Sequence, residues 1–455
     1  MPADLIVRST RVLTPAGIAP AVVHIAAGRI TRLSGYNDYP ADADLDDAGT
    51  LVVMPGVVDT HVHFNEPGRT EWEGFESGTA AAAAGGVTTV VDMPLNSVPA
   101  TTDVGGFARK QEAAEGRVHV DVAFWGGVIP GNTHRLRALA GRGVAGFKAF
   151  MVPSGVDEFP HVTEQDLREA LPVLAELGLP LLVHAEWPPV IDSAAGDFAR
   201  CDPRRYGTWL SSRPPHAETD AIDLLIRLCR EYRTRIHIVH LAAAAALPAL
   251  SGARAERLAI SVETCPHYLT FAAEGVPDGA TEFKCAPPIR EQRNQAALWR
   301  ALAEGTIDLV ASDHSPCPPA MKHLESGDFV RAWGGIGSVE LLLPAVWSGA
   351  VQHGLPLARV VRLLCTAPAD LAGLRSRKGS IAVGFDADLV VWDPDAQFTV
   401  DQRRLRQRHK ITPYDGLRLR GAVHRTYLRG QLVYSRDNRA TVASPSGILL
   451  KPHHS

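Results

Sequence analysis

Long apolar runs are missing from this chain. No stretch approaches the ~18 uninterrupted apolar residues of a membrane-spanning helix, so a membrane protein is not expected. The most apolar segment, Ala80 to Leu95, is broken by Gly85-Gly86 and carries Asp92. It reads as a helix end, a turn and a buried strand. The opening residues Met1-Pro2-Ala3-Asp4 lack the basic region and apolar core of a secretory leader. Cysteine is scarce, with six in 455 residues and no Cys-X-X-Cys pair. Neither a disulfide framework nor a zinc knuckle fits that usage, and free thiols in a reducing cytoplasm are expected. An excess of one charge is absent too. The formal net charge is −4, and the single basic run, Asp401 to Lys410, has no second patch and no interleaved aromatics. Nucleic acid is therefore not an expected partner.

What is present is ordinary globular composition, 45% hydrophobic and 21% charged, in a chain long enough for a large barrel with an addition. Residues 4–53 alternate as β structure, with turn signals at Pro15-Ala16-Gly17 and Ala27-Gly28-Arg29. From residue 51 the pattern becomes strand, loop, helix, repeated. Apolar runs fall at 51–58, 87–91, 118–124, 144–150, 179–183, 236–239, 258–262 and 307–310. Amphipathic helices are expected at 164–177, 219–232 and 292–303. Eight such units predict an α/β fold, a (β/α)8 TIM-like barrel. An open doubly wound sheet would want a glycine-rich phosphate turn after its first strand, and here that place reads His-Val-His-Phe-Asn-Glu-Pro-Gly. After two more helices, at 339–350 and 357–374, β structure returns. It predicts a small β-sandwich domain built from both chain segments. The expected division is 1–54 and 376–455 for the sandwich and 55–375 for the barrel, with residues 444–455 frayed or extended.

Active sites of such barrels lie at the C-terminal strand ends. The first strand ends in His61 and His63, which share a face because side chains alternate with period two. The fourth ends in Lys148, the fifth in His184, the sixth in His240 and the eighth in Asp313. Each alone has a simpler reading, a polar residue at a strand end or a lysine snorkelling to the rim. Together they form a convergent ligand set. His61, His63 and Asp313 would hold one divalent ion, and His184 and His240 another. Burial would depress the Lys148 ammonium, and the neutral amine can take up CO2 to give a carbamate that bridges both. Such ligands suit zinc, with manganese, cobalt, nickel or iron as alternatives. Asp313 would carry the proton. His237 is expected to face away, while His267 and His314 are candidates to support the ligands. A catalytic cysteine is not expected, since the histidines serve better as ligands.

Several stretches resemble the cyclic amidohydrolases of the amidohydrolase superfamily, and among them the allantoinases. They include Pro55 to His63, Glu66 to Phe75, Gly85 to Thr89, Asp92 to Ser97, Gly146-Phe147-Lys148, Glu263 to Leu269, Lys284 to Arg290 and Ser312 to Pro319. The resemblance implies a binuclear site with N6-carboxylated Lys148. It implies that a hydroxide bridging the metals opens a cyclic ureide, allantoin plus water giving allantoate in purine breakdown. A cytoplasmic homotetramer is implied as well. Dihydroorotases resemble this chain but typically carry Arg, for the substrate carboxylate, where Asn65 stands here. Asn65, Asn96, Cys285, Gly334 and Gly335 are the expected substrate contacts. The alternatives are a hydantoinase or dihydropyrimidinase, less readily a dihydroorotase, and a scaffold that has lost its metals.

Overall fold

The computed structural model describes residues 4–198, 201–437, 440–441 and 444–453. Eight parallel strands form the barrel: Val57–Val62, Val87–Asp92, Asp121–Phe124, Phe147–Phe150, Leu181–His184, Ile236–Ile238, Ile260–Thr264 and Leu309–Val310. Pairing runs in chain order from the first strand to the third and from the fourth to the eighth. The third and fourth strands join through Gly126–Gly127, which pairs with Phe147 and Lys148. The first and eighth meet at a parallel bridge between Val62 and His314, where His63 N donates to His314 O at 2.8 Å. Ser312 N also donates to Asp59 Oδ1 at 3.1 Å.

The expected run at 51–58 is two strands. Val52–Pro55 pairs with Leu389–Trp392 in a different sheet, and the chain crosses to the barrel at Gly56. A Cβ on Gly56 would lie 2.1 Å from Thr88 Oγ1, so only glycine permits this crossing. Helix Glu164–Leu177 matches the expectation because its ends are written locally. Thr163 and Asp166 form a reciprocal capping box, and Gly178 turns the chain at φ 66°. Helix Pro215–Tyr232 starts four residues before the expected 219, with proline in its first turn.

Where a sandwich is expected, strands from both chain segments form one continuous nine-stranded sheet. One face packs a core of Val7, Val23, Ile25, Val53, Val391 and Tyr427. The hairpin at Ala27-Gly28 has both residues at positive φ, 50° and 75°, as a two-residue turn with right-handed strand twist requires.

Residues 444–453 are not frayed. Gly447 N donates to Val118 O, Val122 N to Ile448 O and Leu450 N to Val122 O, so the segment lies along the third barrel strand. Its Ser, Pro and Gly content reads as a free end only until that strand's unpaired backbone is placed beside it; residues 454–455 lie outside the described residues. The basic run also docks on the barrel. Arg408 N donates to Glu73 Oε1 at 3.0 Å, and Arg406 N to Glu340 Oε2 at 2.7 Å. Among the described residues no helix is long and apolar enough to cross a membrane.

Asp121, Asp386 and Asp388 cluster closely enough to hold a cation, and Lys378 fills that place. Its Nζ lies 2.6 Å from Asp121, 3.0 Å from Asp386 and 2.6 Å from Asp388, all buried. This group ties the segment that returns to the sheet onto the base of the third barrel strand. Lys378→Met strands three buried carboxylates and is expected to destabilise the protein by about 3–5 kcal/mol. The midpoint of the first urea transition reads this; a wild-type midpoint would mean that Arg377 and Arg429 hold the aspartates unaided.

Candidate active site

A cavity of about 350 Å³ opens at the C-terminal strand ends, lined by His61, His63, His184, His240 and Asp313. Lys148 lies just inside its wall, wholly buried, with Nζ 4.9 Å from the centroid of the Phe150 ring that faces the cavity. The imidazoles are close neighbours. His61 lies 5.4 Å from both His63 and His240 between ring centroids, and His184 lies 4.5 Å from His240. Asp313 Oδ1 is 3.3 Å from His61 Nε2 and 3.6 Å from His63 Nε2. All six expected ligand-type side chains thus meet in one place.

Buried carboxylates orient two of the rings. Glu263 Oε1 meets His61 Nδ1 at 2.5 Å and Glu263 Oε2 meets His237 Nε2 at 3.0 Å. With a proton on Nδ1, His61 presents a lone pair from Nε2 toward Asp313 Oδ1. Glu186 Oε2 meets His184 Nε2 at 2.7 Å, leaving Nδ1 for the cavity, and Glu186 is itself paired with Arg213. The His184 ring stacks on Phe150 at 4.6 Å. Carboxylates behind histidines in this way fix the tautomer and raise ligand basicity.

The electrostatics favour neutral nitrogens facing anionic oxygen. Burial pushes the His63 imidazolium down to about 4, lowers His184 and lowers His240 well below its ordinary value. Burial pushes the Lys148 ammonium down to about 7. Burial alone would raise the Asp313 carboxyl, but the neighbouring His61 and His63 hold it well below the usual carboxylate range.

These features fit divalent metal ions. Lys148 Nζ and His240 Nδ1 are buried without a hydrogen-bond partner, an expensive state for either group. With His61 neutral and protonated on Nδ1, its Nε2 lone pair would face the Asp313 oxygen at 3.3 Å, a contact that a cation between them would relieve. His240 and Asp313 also hold positive φ angles, 40° and 46°, each a strain of about 1–3 kcal/mol of the kind that gathers at functional sites.

Of the expected substrate contacts, Asn96, Cys285, Gly334 and Gly335 line the cavity. Asn96 Nδ2 lies 3.4 Å from His63 Nδ1. Asn65 is not among the lining residues; it is buried with Nδ2 toward Pro316 O at 3.4 Å. His237 does not face away but packs against Glu263 and Ser261. His314 supports the wall, its Nδ1 accepting from Ser338 N at 3.0 Å. Glu263 and Glu186 were not singled out from the sequence. Their signal was there, since each is an acid at a strand end within His-Ala-Glu or Glu-Thr-Cys-Pro-His. Trp209, in the helix Tyr206–Ser211, and Arg331 and Trp333, in loops, also line the cavity and carry no such mark.

The amidohydrolase family pattern matches residues 52–433. An allantoinase from Streptomyces avermitilis is 49% identical over 98% of both chains. An allantoinase from Saccharomyces cerevisiae is 47% identical over 87% of this chain and 85% of that protein. Among solved structures, the L-hydantoinase (dihydropyrimidinase) of Arthrobacter aurescens superposes with a TM-score of 0.92 at 31% identity, over 98% of this chain and 99% of that one.

Glu263→Gln keeps the shape but removes the charge behind His61. Divalent-metal affinity is expected to fall about 10–100-fold, measured by competition with a chelating dye. An unchanged affinity would reduce Glu263 to a packing role.

Proposed function

The chain belongs to the amidohydrolase family, and from that premise we propose that it hydrolyses allantoin to allantoate with two bound divalent ions. The observation that carries this reading is the meeting of four imidazoles, Asp313 and a hydrogen-bond-free Lys148 at one cavity, in a chain similar over nearly its full length to proteins named allantoinase.

In this reading His61, His63 and Asp313 hold one ion and His184 and His240 the other. Lys148, carboxylated on Nζ, serves both. Zinc is the first candidate, with manganese, cobalt, nickel and iron as the others. Bound there, the ions supply acidified water and a polarised carbonyl. The chain's own residues do the rest. Asp313, ionised at neutral pH, takes the proton from the attacking water and returns it to the ring nitrogen as the C–N bond breaks. Glu263 and Glu186 keep His61 and His184 in register. Asn96, Cys285, Gly334 and Gly335 form the wall against which the ureide ring lies. The protein works in the cytoplasm as a homotetramer, with 55–375 as the catalytic barrel and 1–54 and 376–455 as the flanking β domain, whose segment 447–450 straps onto the barrel.

The likeness to the L-hydantoinase structure supports a second reading, the opening of hydantoin or dihydropyrimidine rings by the same residues. Purified metal-loaded protein assayed on allantoin, hydantoin, dihydrouracil and dihydroorotate separates the two. Chelator-sensitive opening of allantoin well above the others is expected. Preference for hydantoin or dihydrouracil moves the substrate assignment, and inactivity on all four with no bound metal would favour the scaffold.

Lys148 gives a pH dependence. CO2 reacts with the neutral amine, and the depressed ammonium, near 7 instead of the ordinary ~10.4, frees that amine as pH rises through 7. Reconstitution of metal-free protein with metal and bicarbonate is expected to rise steeply between about pH 6 and 8, followed by metal content. Lys148→Ala is expected to lose one or both ions; two ions and full activity in that variant would falsify the carbamate assignment.

A further inference from the structure

Asp313 belongs to a second group of ligand atoms. Cys265 follows the seventh barrel strand, and His267 lies in the first turn of the short helix Pro266–Thr270. The Cys265 sulfur, a His267 ring nitrogen and an Asp313 oxygen all lie within 4.8 Å of one another. Cys265 and His267 are wholly buried, and Asp313 is 7% exposed. Neither ring nitrogen of His267 has a hydrogen-bond partner, although a buried imidazole normally finds at least one. The ring-opening chemistry uses neither the thiol nor this imidazole.

A thiolate, an imidazole and a carboxylate make a softer set than the imidazoles and oxygens of the neighbouring centre. Such a set suits zinc and other thiophilic ions over magnesium, calcium or manganese. Metals also deprotonate a coordinating thiol that would otherwise stay protonated.

We propose that Cys265, His267 and Asp313 form a further, inhibitory site for a thiophilic divalent cation. Its effect on activity rests on the function proposed above, because Asp313 is the residue shared. A sulfur–metal bond forms, the thiol proton passes to buffer, and no electron is transferred. The bound ion draws the Asp313 carboxylate toward Cys265 and occupies the lone pair that carries the proton. Ring opening then stops while the histidine ligands remain in place.

Cadmium chloride titrated into the two-metal holoenzyme tests this, read by sulfur-to-cadmium charge-transfer absorption in the ultraviolet. None of the six ligands proposed for the catalytic ions contains sulfur, so displacement of those ions gives no such band. One equivalent of band-forming cadmium is expected, with activity falling in step. Cys265→Ser is expected to abolish the band, and His267→Gln to weaken the binding at least about tenfold. Cys285→Ser and Cys317→Ser are expected to retain it. Absence of a band in the wild type at saturating cadmium overturns the site, as does a band that survives Cys265→Ser. Should that variant fail to fold, cadmium-edge X-ray absorption of the wild type, together with His267→Gln, decides the same point; a shell without sulfur overturns it. Failure of the catalytic reading shows separately, as missing ring opening before any cadmium is added.

Discussion

Closure of the barrel between its first and eighth strands decides where Asp313 lies relative to His61 and His63. The two strands meet through the Val62–His314 bridge and the bond from Ser312 N to Asp59. That seam sets Asp313 against His61 and His63, residues far apart in the chain. Without it the first strand would present two imidazoles and no anion. With it an imidazole nitrogen and a carboxylate oxygen face each other at 3.3 Å, an arrangement suited to sharing a positive ion. The strained φ angles of His240 and Asp313 fit the same picture, because strain persists only where the surroundings over-determine a conformation.

Behind that seam stands a layer of buried charge. Glu263 serves two histidines from different strands, and Glu186 is shared between His184 and Arg213. Each carboxylate is wholly buried; Glu263 engages both of its oxygens, while Glu186 engages Oε2 with His184 and Arg213 and leaves Oε1 without a hydrogen-bond partner. Ligand geometry is thus set by acids that do not themselves reach the cavity. A comparable arrangement operates at the opposite end of the third barrel strand, where Lys378 gathers three aspartates.

Much of this was legible in the sequence where the signal was local. His61 and His63 share a face by strand periodicity alone, and Thr163, Asp166 and Gly178 mark both ends of their helix. Lys148 stood out because a lysine inside an apolar strand has few explanations. Other features depend on partners distant in the chain. Whether Val52–Pro55 belongs to barrel or sandwich is settled only by its pairing with Leu389–Trp392. His237 was expected to face away because period-two counting from His240 says nothing about Glu263 on the next strand. The docked segment at 447–450 has weak periodicity and takes its place from the exposed edge of the third barrel strand.

That interleaving bears on how the chain can fold as it is made. Val52–Pro55 leaves the ribosome early, yet its neighbour Leu389–Trp392 is synthesised only after the whole barrel, and the strap along Asp121–Phe124 later still. Contacts between such remote segments are slow to form, and half-built sheets with open edges aggregate. The eight barrel units must therefore emerge with their sandwich edge unpaired and their third strand uncovered. The molecule can reach its final state only after synthesis has passed residue 450, so the pairings that close the sheet and strap the third strand form last.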